Sequence, residues 1–196
     1  MTQAEYQAQN KKGFEGDGFL RDMFKHICNN YSIKHIIETG TYHGYTTKHL
    51  SKMADKVDTV EVVEQNYLTA FAHLKKLKNV KCHLGSSEQV LESILPEMDE
   101  GLFLFLDAHW QQYNPLIDEL KVIASKKLKP IIAIHDFKVP NNPELGFDTY
   151  PKAGIVYEWD WIKESVESIY GKDGFTIAYN DKSEGAKRGV IFIFPK

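Results

Sequence analysis

Apolar residues in this chain fall into short continuous runs, separated by longer stretches with a helical spacing of apolar positions. The clearest runs are Phe103-Leu104-Phe105-Leu106 and Ile131-Ile132-Ala133-Ile134. A strand with apolar side chains on both faces needs helices on both sides, as in a parallel sheet. The pattern therefore predicts an α/β fold with a mostly parallel central sheet.

The predicted elements alternate along most of the chain. Strands are predicted at residues 34–39, 57–63, 80–84, 102–106 and 131–134. The predicted helices are one capped by Asp17 and running to about Asn29, one from Thr46 to Met53, one capped by Asn66, one reaching Leu95 from a Ser86/Gln89 capping box, and one that starts at Asn114-Pro115. Such alternation is typical of an open doubly wound sheet.

The pattern changes after residue 137. A loop rich in Pro and Asn spans residues 139–152, and the next helix carries an apolar stripe of Trp159, Ile162, Val166 and Ile169. Two more strands, 175–179 and 190–194, are joined by a charged segment that we interpret as a solvated loop. Because these strands are close in sequence, we expect an antiparallel hairpin.

Composition restricts the class of protein only loosely. The 196 residues fit one domain, which we place at 13–196, after a polar segment 1–12 that we expect to be flexible. A net charge of −3 gives no general attraction for nucleic acid or anionic membranes. Cys28 and Cys82 are distant in sequence and look like reduced core residues. With no apolar leader visible, we expect a cytoplasmic protein.

The segment His35–Gly44 carries the most specific chemical signal. It reads as a buried strand ending at Glu38, a turn containing Gly40 and Gly44, and the start of a helix. Such glycines let backbone N–H groups approach a ligand closely. The dinucleotide fingerprint is G-x-G-x-x-G, whereas here three residues separate the glycines and an acid precedes them. That arrangement suits a ligand with a cationic amino group better than a pyrophosphate.

This segment resembles the first motif of class I, Rossmann-like S-adenosylmethionine-dependent methyltransferases, E/D-x-G-x-G-x-G. Glu38, Gly40 and Gly44 match it, and Tyr42 replaces the middle glycine. The variant is most similar to the macrocin-type O-methyltransferase branch. The resemblance implies a three-layer α/β/α sandwich whose seven-stranded, mostly parallel sheet ends in a C-terminal antiparallel hairpin. It also implies S-adenosylmethionine as the cofactor.

The candidate cofactor-binding residues follow from this reading. Glu38 is expected near the cofactor amine, and the turn residues Thr41, Tyr42 and His43 are expected to contact its methionine part through backbone amides. Glu61, at the end of the second strand, can accept hydrogen bonds from both ribose hydroxyls. Ser86 occupies the place where methyltransferases often carry an Asp that contacts adenine, and it could equally cap its helix. The full candidate set is Glu38, Gly40, Thr41, Tyr42, His43, Gly44, Glu61, Ser86 and Asp107.

The candidate catalytic residues lie after the fourth and fifth strands. Asp107 and His109 follow one strand, and His135 and Asp136 follow the other. Since the carboxyl ends of neighbouring parallel strands meet, we expect these side chains to face one another. Methyl transfer to a hydroxyl requires alignment of the acceptor and removal of its proton, and either histidine could take that proton.

The resemblance also implies a metal site, because macrocin-type enzymes hold magnesium with carboxylates after strands four and five. Asp107 and Asp136 match two of those positions, whereas His109 and Phe137 stand where further acids would be expected. The sequence therefore leaves two alternatives open: these acids hold Mg²⁺, or they organise the acceptor directly.

The acceptor is predicted to be a small molecule such as a sugar or natural product. Tyr150 and Trp110 are candidates for its binding wall. Neither a nucleic-acid module nor a membrane segment is visible, and a homodimer is compatible with the fold although no segment argues for it. Two other functions stay open: a nucleotide-dependent oxidoreductase of related fold, and a non-catalytic binding domain that retains the fold.

Overall fold

The computed structural model describes residues 2–95, 101–109 and 113–196. Trp110, a candidate for the acceptor wall, lies outside these residues. Helices within them are α1 (Gln3–Asn10), α2 (Gly18–Asn30), α3 (Tyr45–Leu50), α4 (Glu64–Leu74), α5 (Ser87–Ile94), α6 (Leu116–Ser125) and α7 (Trp159–Tyr170). Strands are β1 (His35–Thr39), β2 (Lys56–Glu61), β3 (Val80–Leu84), β4 (Leu102–Leu106), β5 (Ile131–Ile134), β6 (Thr149–Tyr150), β7 (Ile155–Val156), β8 (Phe175–Tyr179) and β9 (Ile191–Pro195).

Seven strands form one sheet in the order β3-β2-β1-β4-β5-β9-β8. The first five are parallel to their neighbours, and β9 runs antiparallel to both β5 and β8. The predicted C-terminal hairpin is confirmed. The chain reverses its direction of travel across the sheet between β1 and β4, and ligands bind at such a switch point in open α/β sheets.

Each continuous apolar strand buries its two faces in two different cores. Ile37 and Leu104 pack on one face with α5, α6 and α7, whereas Ile36, Phe103 and Phe105 pack on the other with α2 and α3. Phe24 of α2 is fully buried, and its ring centroid is 4.8 Å from that of Phe103. The three-layer α/β/α sandwich that the sequence predicted is therefore confirmed.

Several predicted helix starts differ from the observed ones. Asp17 caps α2 as predicted, and its carboxylate accepts from the Leu20 N–H at 3.0 Å. Asn66 was expected to cap a helix but lies inside α4, and Pro115, rather than Asn114, precedes α6. The Asn114 side chain instead accepts from the Tyr157 hydroxyl at 2.8 Å. A tertiary partner thus replaces the local cap.

Two short features were not predicted. Residues 149–156, at the end of the Pro- and Asn-rich loop, contain a small hairpin in which β6 pairs with β7. Helix α1 lies within the N-terminal segment, whose flexibility stays a prediction. None of the described helices is both long enough and apolar enough to cross a membrane.

An ionic cluster joins β1, β2 and β3. Asp58 is 1% exposed, and its two carboxylate oxygens lie 2.6 Å from Nε2 of His35 and 2.6 Å from Nε2 of His83. Burial alone would raise the pKa of Asp58, but these hydrogen bonds and the nearby Lys56 ammonium hold it well below its usual value. The ionised carboxylate is therefore the form that stabilises the folded chain.

Replacing Asp58 with Asn is expected to lower the free energy of unfolding at pH 7 by about 3 kcal/mol, because it leaves buried nitrogens poorly paired. Since the folded pKa lies below the unfolded one, this stabilisation is present above about pH 4 and lost progressively as pH falls below it. Urea titrations at several pH values should show the gap between wild type and D58N narrowing in acid. The exposed Asp55, changed to Asn, is the control, and an equal loss there would contradict the assignment.

Candidate functional site

A cavity of about 500 Å³ opens at the carboxyl ends of β1, β2 and β4. Asn10, Phe14 and Glu15, which precede α2, supply one wall, and the other walls come from the strand ends, the loops that follow them and the first turns of α3, α4 and α5. Those other lining residues are Gly40, Thr41, Tyr42, His43, Tyr45, Thr46, Val60, Glu61, Val62, Asn66, Gly85, Ser87, Phe105, Asp107, Ala108, His109, Tyr113 and His135. No Lys or Arg is among the described lining residues, whereas three carboxylates are.

The two glycines of the turn are required by close approaches. Gly40 has φ +88°, and a Cβ there would lie 2.3 Å from the carbonyl oxygen of Asp107. Gly44 precedes α3 with φ +78°, and a Cβ there would lie 2.8 Å from Leu74 of α4. The first glycine therefore brings the turn against the end of β4, and the second lets α3 pack on α4.

Tyr42 adopts the left-handed conformation, with φ +48°, at the position where the methyltransferase motif has its middle glycine. The departure from the motif thus keeps the backbone shape and adds an aromatic side chain. The Tyr42 ring stacks on His43 with centroids 3.9 Å apart, and both rings line the cavity. For a residue with a Cβ this backbone conformation costs about 1–2 kcal/mol.

We expect Tyr42→Gly to be more stable than Tyr42→Ala by about 1 kcal/mol, because only glycine adopts a positive φ without strain. At the exposed helical position Lys48 the order should reverse, with Ala about 1 kcal/mol more stable than Gly. Chemical unfolding of the four variants measures both differences. If Ala is the more stable replacement at both positions, the left-handed turn at Tyr42 is not formed in solution.

Glu61 is the best-formed of the predicted cofactor residues. Its carboxylate is almost buried and accepts from the backbone N–H groups of Tyr42 at 2.7 Å and Val63 at 2.8 Å. Burial raises the pKa of Glu61, and these backbone hydrogen bonds oppose the rise. Each carboxylate oxygen retains acceptor capacity, so the fixed side chain can still take a pair of hydroxyl donors from the cavity.

The backbone N–H groups of the turn donate hydrogen bonds to acceptors within the protein. The N–H groups of Gly40 and Thr41 both donate to the carbonyl oxygen of Val60, at 2.9 and 3.0 Å, and that of Tyr42 donates to Glu61. The predicted amide contacts of Thr41 and Tyr42 to a ligand would therefore have to share these hydrogens. His43 contributes its ring to the cavity, and its pKa is lowered by burial.

Glu38 and Ser86 do not line the cavity. Glu38 lies beneath the turn, 1% exposed, and accepts from the hydroxyls of Thr47 at 2.5 Å and Thr59 at 2.7 Å. Burial raises the pKa of Glu38 to about 8. Ser86 immediately precedes α5 but makes no capping bond there, and its neighbour Ser87 lines the cavity instead. Glu38 thus joins β1 to β2 and α3 through hydrogen bonds, and its side chain does not face the cavity.

The predicted catalytic residues do come together. His135 Nδ1 lies 3.2 Å from Asp107 Oδ1 and 3.4 Å from Asp136 Oδ1, and His109 Nε2 lies 2.9 Å from Asp136 Oδ2. Asp107, His109 and His135 line the cavity, whereas Asp136 lies behind them, 5% exposed. The expectation that the ends of β4 and β5 face each other is confirmed by their parallel pairing.

Carboxylates set the charge state of both histidines. Burial alone would lower the pKa of His109, but the hydrogen bond to Asp136 and the charges of Asp107, Asp136 and Asp148 outweigh it and raise the pKa to about 9. Burial also opposes ionisation of His135, yet the charges of Asp107 and Asp136 hold its pKa well above the ordinary value. The neighbouring carboxylates therefore favour the protonated form of both imidazoles in the ligand-free chain.

Two residues of this cluster were not among those predicted from the sequence. Asp148 lies 3.4 Å from Nδ1 of His109, and Arg188 donates to both Asp136 and Asp148. They come from the loop before β6 and from the charged segment between β8 and β9, both of which looked like solvated connections. The one signal available was Arg188-Gly189 directly before an apolar strand, and it is weak.

The donor set fits a magnesium ion poorly. Asp107, His109 and Asp136 place one ligand atom each within 4.8 Å of the others. However, both oxygens of Asp136 already accept N–H bonds, one from His109 and one from Arg188. Magnesium requires oxygen ligands in octahedral geometry, and an imidazole and a paired carboxylate do not provide them.

His109 also lines a second cavity, of about 410 Å³. The residues that line it belong to the loops before α6 and around β6: His109, Asn114, Asp148, Thr149, Tyr150, Pro151, Lys152, Ala153 and Ile155. Tyr150, predicted as an acceptor wall, is in this set, and its hydroxyl lies 3.4 Å from Asp148. His109 is thus shared by the two cavities.

Several solved structures that superimpose on this chain are methyltransferases. The chain superimposes on TomG, an O-methyltransferase of Streptomyces achromogenes in complex with SAM, with TM-score 0.64, 16% identity, and coverage of 90% of this chain and 79% of that one. The Bacillus cereus O-methyltransferase in complex with SAH superimposes with TM-score 0.63 and 21% identity, over 91% of this chain and 81% of that one. The SAH-bound Podospora anserina methyltransferase PaMTH1 superimposes with TM-score 0.60 and 15% identity, over 98% of this chain and 86% of that one.

The architecture is therefore the Rossmann-like fold of class I S-adenosylmethionine-dependent methyltransferases, as the first motif predicted. A scan of protein-family models finds none that matches the sequence, and a search of curated proteins also finds no match. At these identities the structural likeness establishes the fold, and the activity has to be argued from the site.

Proposed function

We propose that this chain is an S-adenosylmethionine-dependent methyltransferase that acts on a hydroxyl group of a small molecule. The observation that carries the proposal is the position of Glu61: a buried carboxylate, fixed by two backbone N–H groups, at the end of β2 in a cavity lined by carboxylates. The solved methyltransferases of the same fold that hold SAM or SAH support this reading.

The charges of the cavity favour this cofactor over a dinucleotide. A pyrophosphate needs free backbone N–H groups or basic side chains, and the amides of Gly40, Thr41 and Tyr42 are all engaged. The described lining instead offers the carboxylates of Glu15, Glu61 and Asp107. A ligand with an ammonium and a sulfonium suits that environment, because opposite charges attract strongly in a partly buried cavity.

The chemistry is then shared between the cofactor and the cluster at the ends of β4 and β5. S-adenosylmethionine supplies an electrophilic methyl group when bound. The chain must hold the acceptor oxygen in line with that methyl and remove its proton. His109 has the position for the second task, since it borders both the cofactor cavity and the cavity that contains Tyr150. Its Nε2 is held by Asp136 at 2.9 Å, so the atom that would take the proton is Nδ1 of the neutral imidazole, whose contact with Asp148 is longer, at 3.4 Å. Asp107 and Asp136 orient the two imidazoles.

The size of the second cavity supports a small acceptor. Tyr150, Pro151 and Ile155 give it an apolar wall, while Asn114 and Asp148 provide hydrogen-bonding groups for a polyol or phenol. A net charge of −3 is unfavourable for a nucleic-acid substrate. Assistance by Mg²⁺, a homodimer and a cytoplasmic location stay predictions, and the occupied state of Asp136 argues against the first.

Calorimetric titration of the purified chain with S-adenosylmethionine, S-adenosylhomocysteine and NAD tests the cofactor class. We expect the first two to bind and NAD not to bind. Binding of NAD alone would favour the oxidoreductase alternative, and binding of none would remove the proposal. Methyl transfer from labelled cofactor to any member of a panel of small alcohols and phenols would exclude a non-catalytic binding domain.

A further inference from the structure

Arg188 enters the catalytic cluster from the segment between β8 and β9. Its Nε donates to Asp136 Oδ1 and its Nη2 donates to Asp148 Oδ1. The side chain is 25% exposed, and the carboxylate of Asp136 is 7% exposed. A guanidinium that joins two carboxylates in this way is a fixed positive charge with defined geometry, which a lysine ammonium cannot reproduce.

Backbone hydrogen bonds fix the position of the segment that carries Arg188. Gly146 forms an isolated parallel bridge with Arg188, in which the Gly146 N–H donates to Lys187 O at 2.8 Å and the Gly189 N–H donates to Gly146 O at 2.9 Å. A Cβ on Gly146 would lie 2.8 Å from Arg188 Nη1. The loop before β6 therefore depends on a residue without a side chain at the point where the guanidinium passes.

The two carboxylates that hold Arg188 also hold His109. Asp136 Oδ2 lies 2.9 Å from Nε2 of the imidazole, and Asp148 Oδ2 lies 3.4 Å from Nδ1. His109, Asp136, Arg188 and Asp148 thus form a closed ring in which acidic and basic side chains alternate. Each carboxylate uses one oxygen for the imidazole and the other for the guanidinium.

We infer that Arg188 is a positioning residue that fixes His109 through this ring. We also infer that its guanidinium occupies the position at Asp136 where a divalent cation would otherwise bind. The inference rests on the proposed function, in which His109 faces the acceptor. Asp136 Oδ1 lies against both Arg188 and His135, and Oδ2 lies against His109, so little of the carboxylate is open to a metal. The guanidinium would also repel a divalent cation at that position. The positive charge that this cluster of acids requires is supplied by the chain itself.

Binding of Mn²⁺, used alone as a paramagnetic substitute for Mg²⁺, tests the inference without an acceptor. We expect no binding to the wild-type chain, measured by water-proton relaxation and by calorimetry. Arg188→Gln should gain one site with a dissociation constant below about 1 mM, the weak end of oxygen-ligated sites. That site should be lost again in the double variant D136N/R188Q. A purely structural ion pair would give no such gain.

The matched control is Arg21→Gln, since Arg21 is a partly exposed arginine on α2 that pairs with the exposed Asp22, away from the cluster. Stoichiometric Mn²⁺ binding by the wild type, lost in Asp136→Asn, would overturn the inference, as would a folded R188Q that binds no Mn²⁺. If R188Q does not fold, Arg188→Lys retains the charge and should bind no Mn²⁺; binding there would also overturn it.

Titration of the wild type with S-adenosylhomocysteine keeps the two proposals apart. Cofactor binding together with Mn²⁺ binding at Asp136 would leave the methyltransferase proposal in place and remove the role of Arg188. Absence of cofactor binding would remove the proposed function, and with it the part of the inference that concerns the acceptor.

Discussion

Replacing Glu61 with Gln is expected to weaken the binding of S-adenosylhomocysteine about 100-fold. A hydrogen bond to a charged acceptor contributes about 1.5–3 kcal/mol, and each 1.4 kcal/mol corresponds to a factor of ten in affinity. In the proposed function the Glu61 carboxylate would accept two ribose hydroxyls while it accepts from the backbone N–H groups of Tyr42 and Val63. Glutamine offers one oxygen in place of two, and its amide nitrogen would face donors. Calorimetry of both proteins gives the ratio of dissociation constants.

Glu64 provides the control for this measurement. It is the other acid after β2, lies exposed at the start of α4 and does not line the cavity. Glu64→Gln should therefore bind the cofactor product with wild-type affinity. Because Glu61 also holds the turn, the unfolding midpoint of E61Q should be measured in parallel. Equal affinity of E61Q and wild type would place the ribose elsewhere and would remove the main support for the proposed cofactor.

The strands were the part of this fold that the sequence predicted most closely. The bounds of β4 and β5 coincide with the apolar runs 102–106 and 131–134, and β3 also spans its predicted residues 80–84. A strand buried on both faces must be apolar along its whole length, so its ends are marked by the first polar residues. The helix starts were predicted less well, because Asn66 and Asn114 are good caps locally but make other contacts in the folded chain.

The candidate site could be predicted as far as it depends on the ends of parallel strands. Asp107 and His135 meet because β4 and β5 are neighbours, and that adjacency follows from the fold class. Asp148 and Arg188 could not be found in this way, since both belong to connections whose paths no periodicity determines. The same limit applies to Phe14 and Glu15, which reach the cavity from a segment with four consecutive positive φ values, at residues 13–16.

His109 is the second residue for which we expect a large effect. In the proposed reaction it accepts the acceptor proton, and loss of a general base typically lowers turnover by a factor of about 100 to 10,000. His109→Gln should show this loss in methyl transfer to whichever small alcohol or phenol is accepted, with little change in affinity for S-adenosylhomocysteine. Retention of turnover in H109Q would assign the proton transfer to another group.

The pKa of about 9 sets the pH dependence of this step. The base must be neutral to accept a proton, so turnover should rise with pH until His109 is deprotonated, and H109Q should lose this rise. The sulfonium of a bound cofactor would add a positive charge to the cavity and would lower the pKa of His109 towards neutrality, because like charges disfavour the protonated form. Cofactor binding would thereby activate the base.

This coupling can be measured without an acceptor, because S-adenosylhomocysteine lacks the sulfonium charge. If the sulfonium lowers the pKa of His109 by one unit, the affinity for S-adenosylmethionine relative to S-adenosylhomocysteine should increase about tenfold as pH rises through 9. The increase should be absent in H109Q. A ratio independent of pH in the wild type would mean that the sulfonium lies too far from His109 for the imidazole to act on the acceptor, and the base would have to be His135 or an oxygen of Asp107.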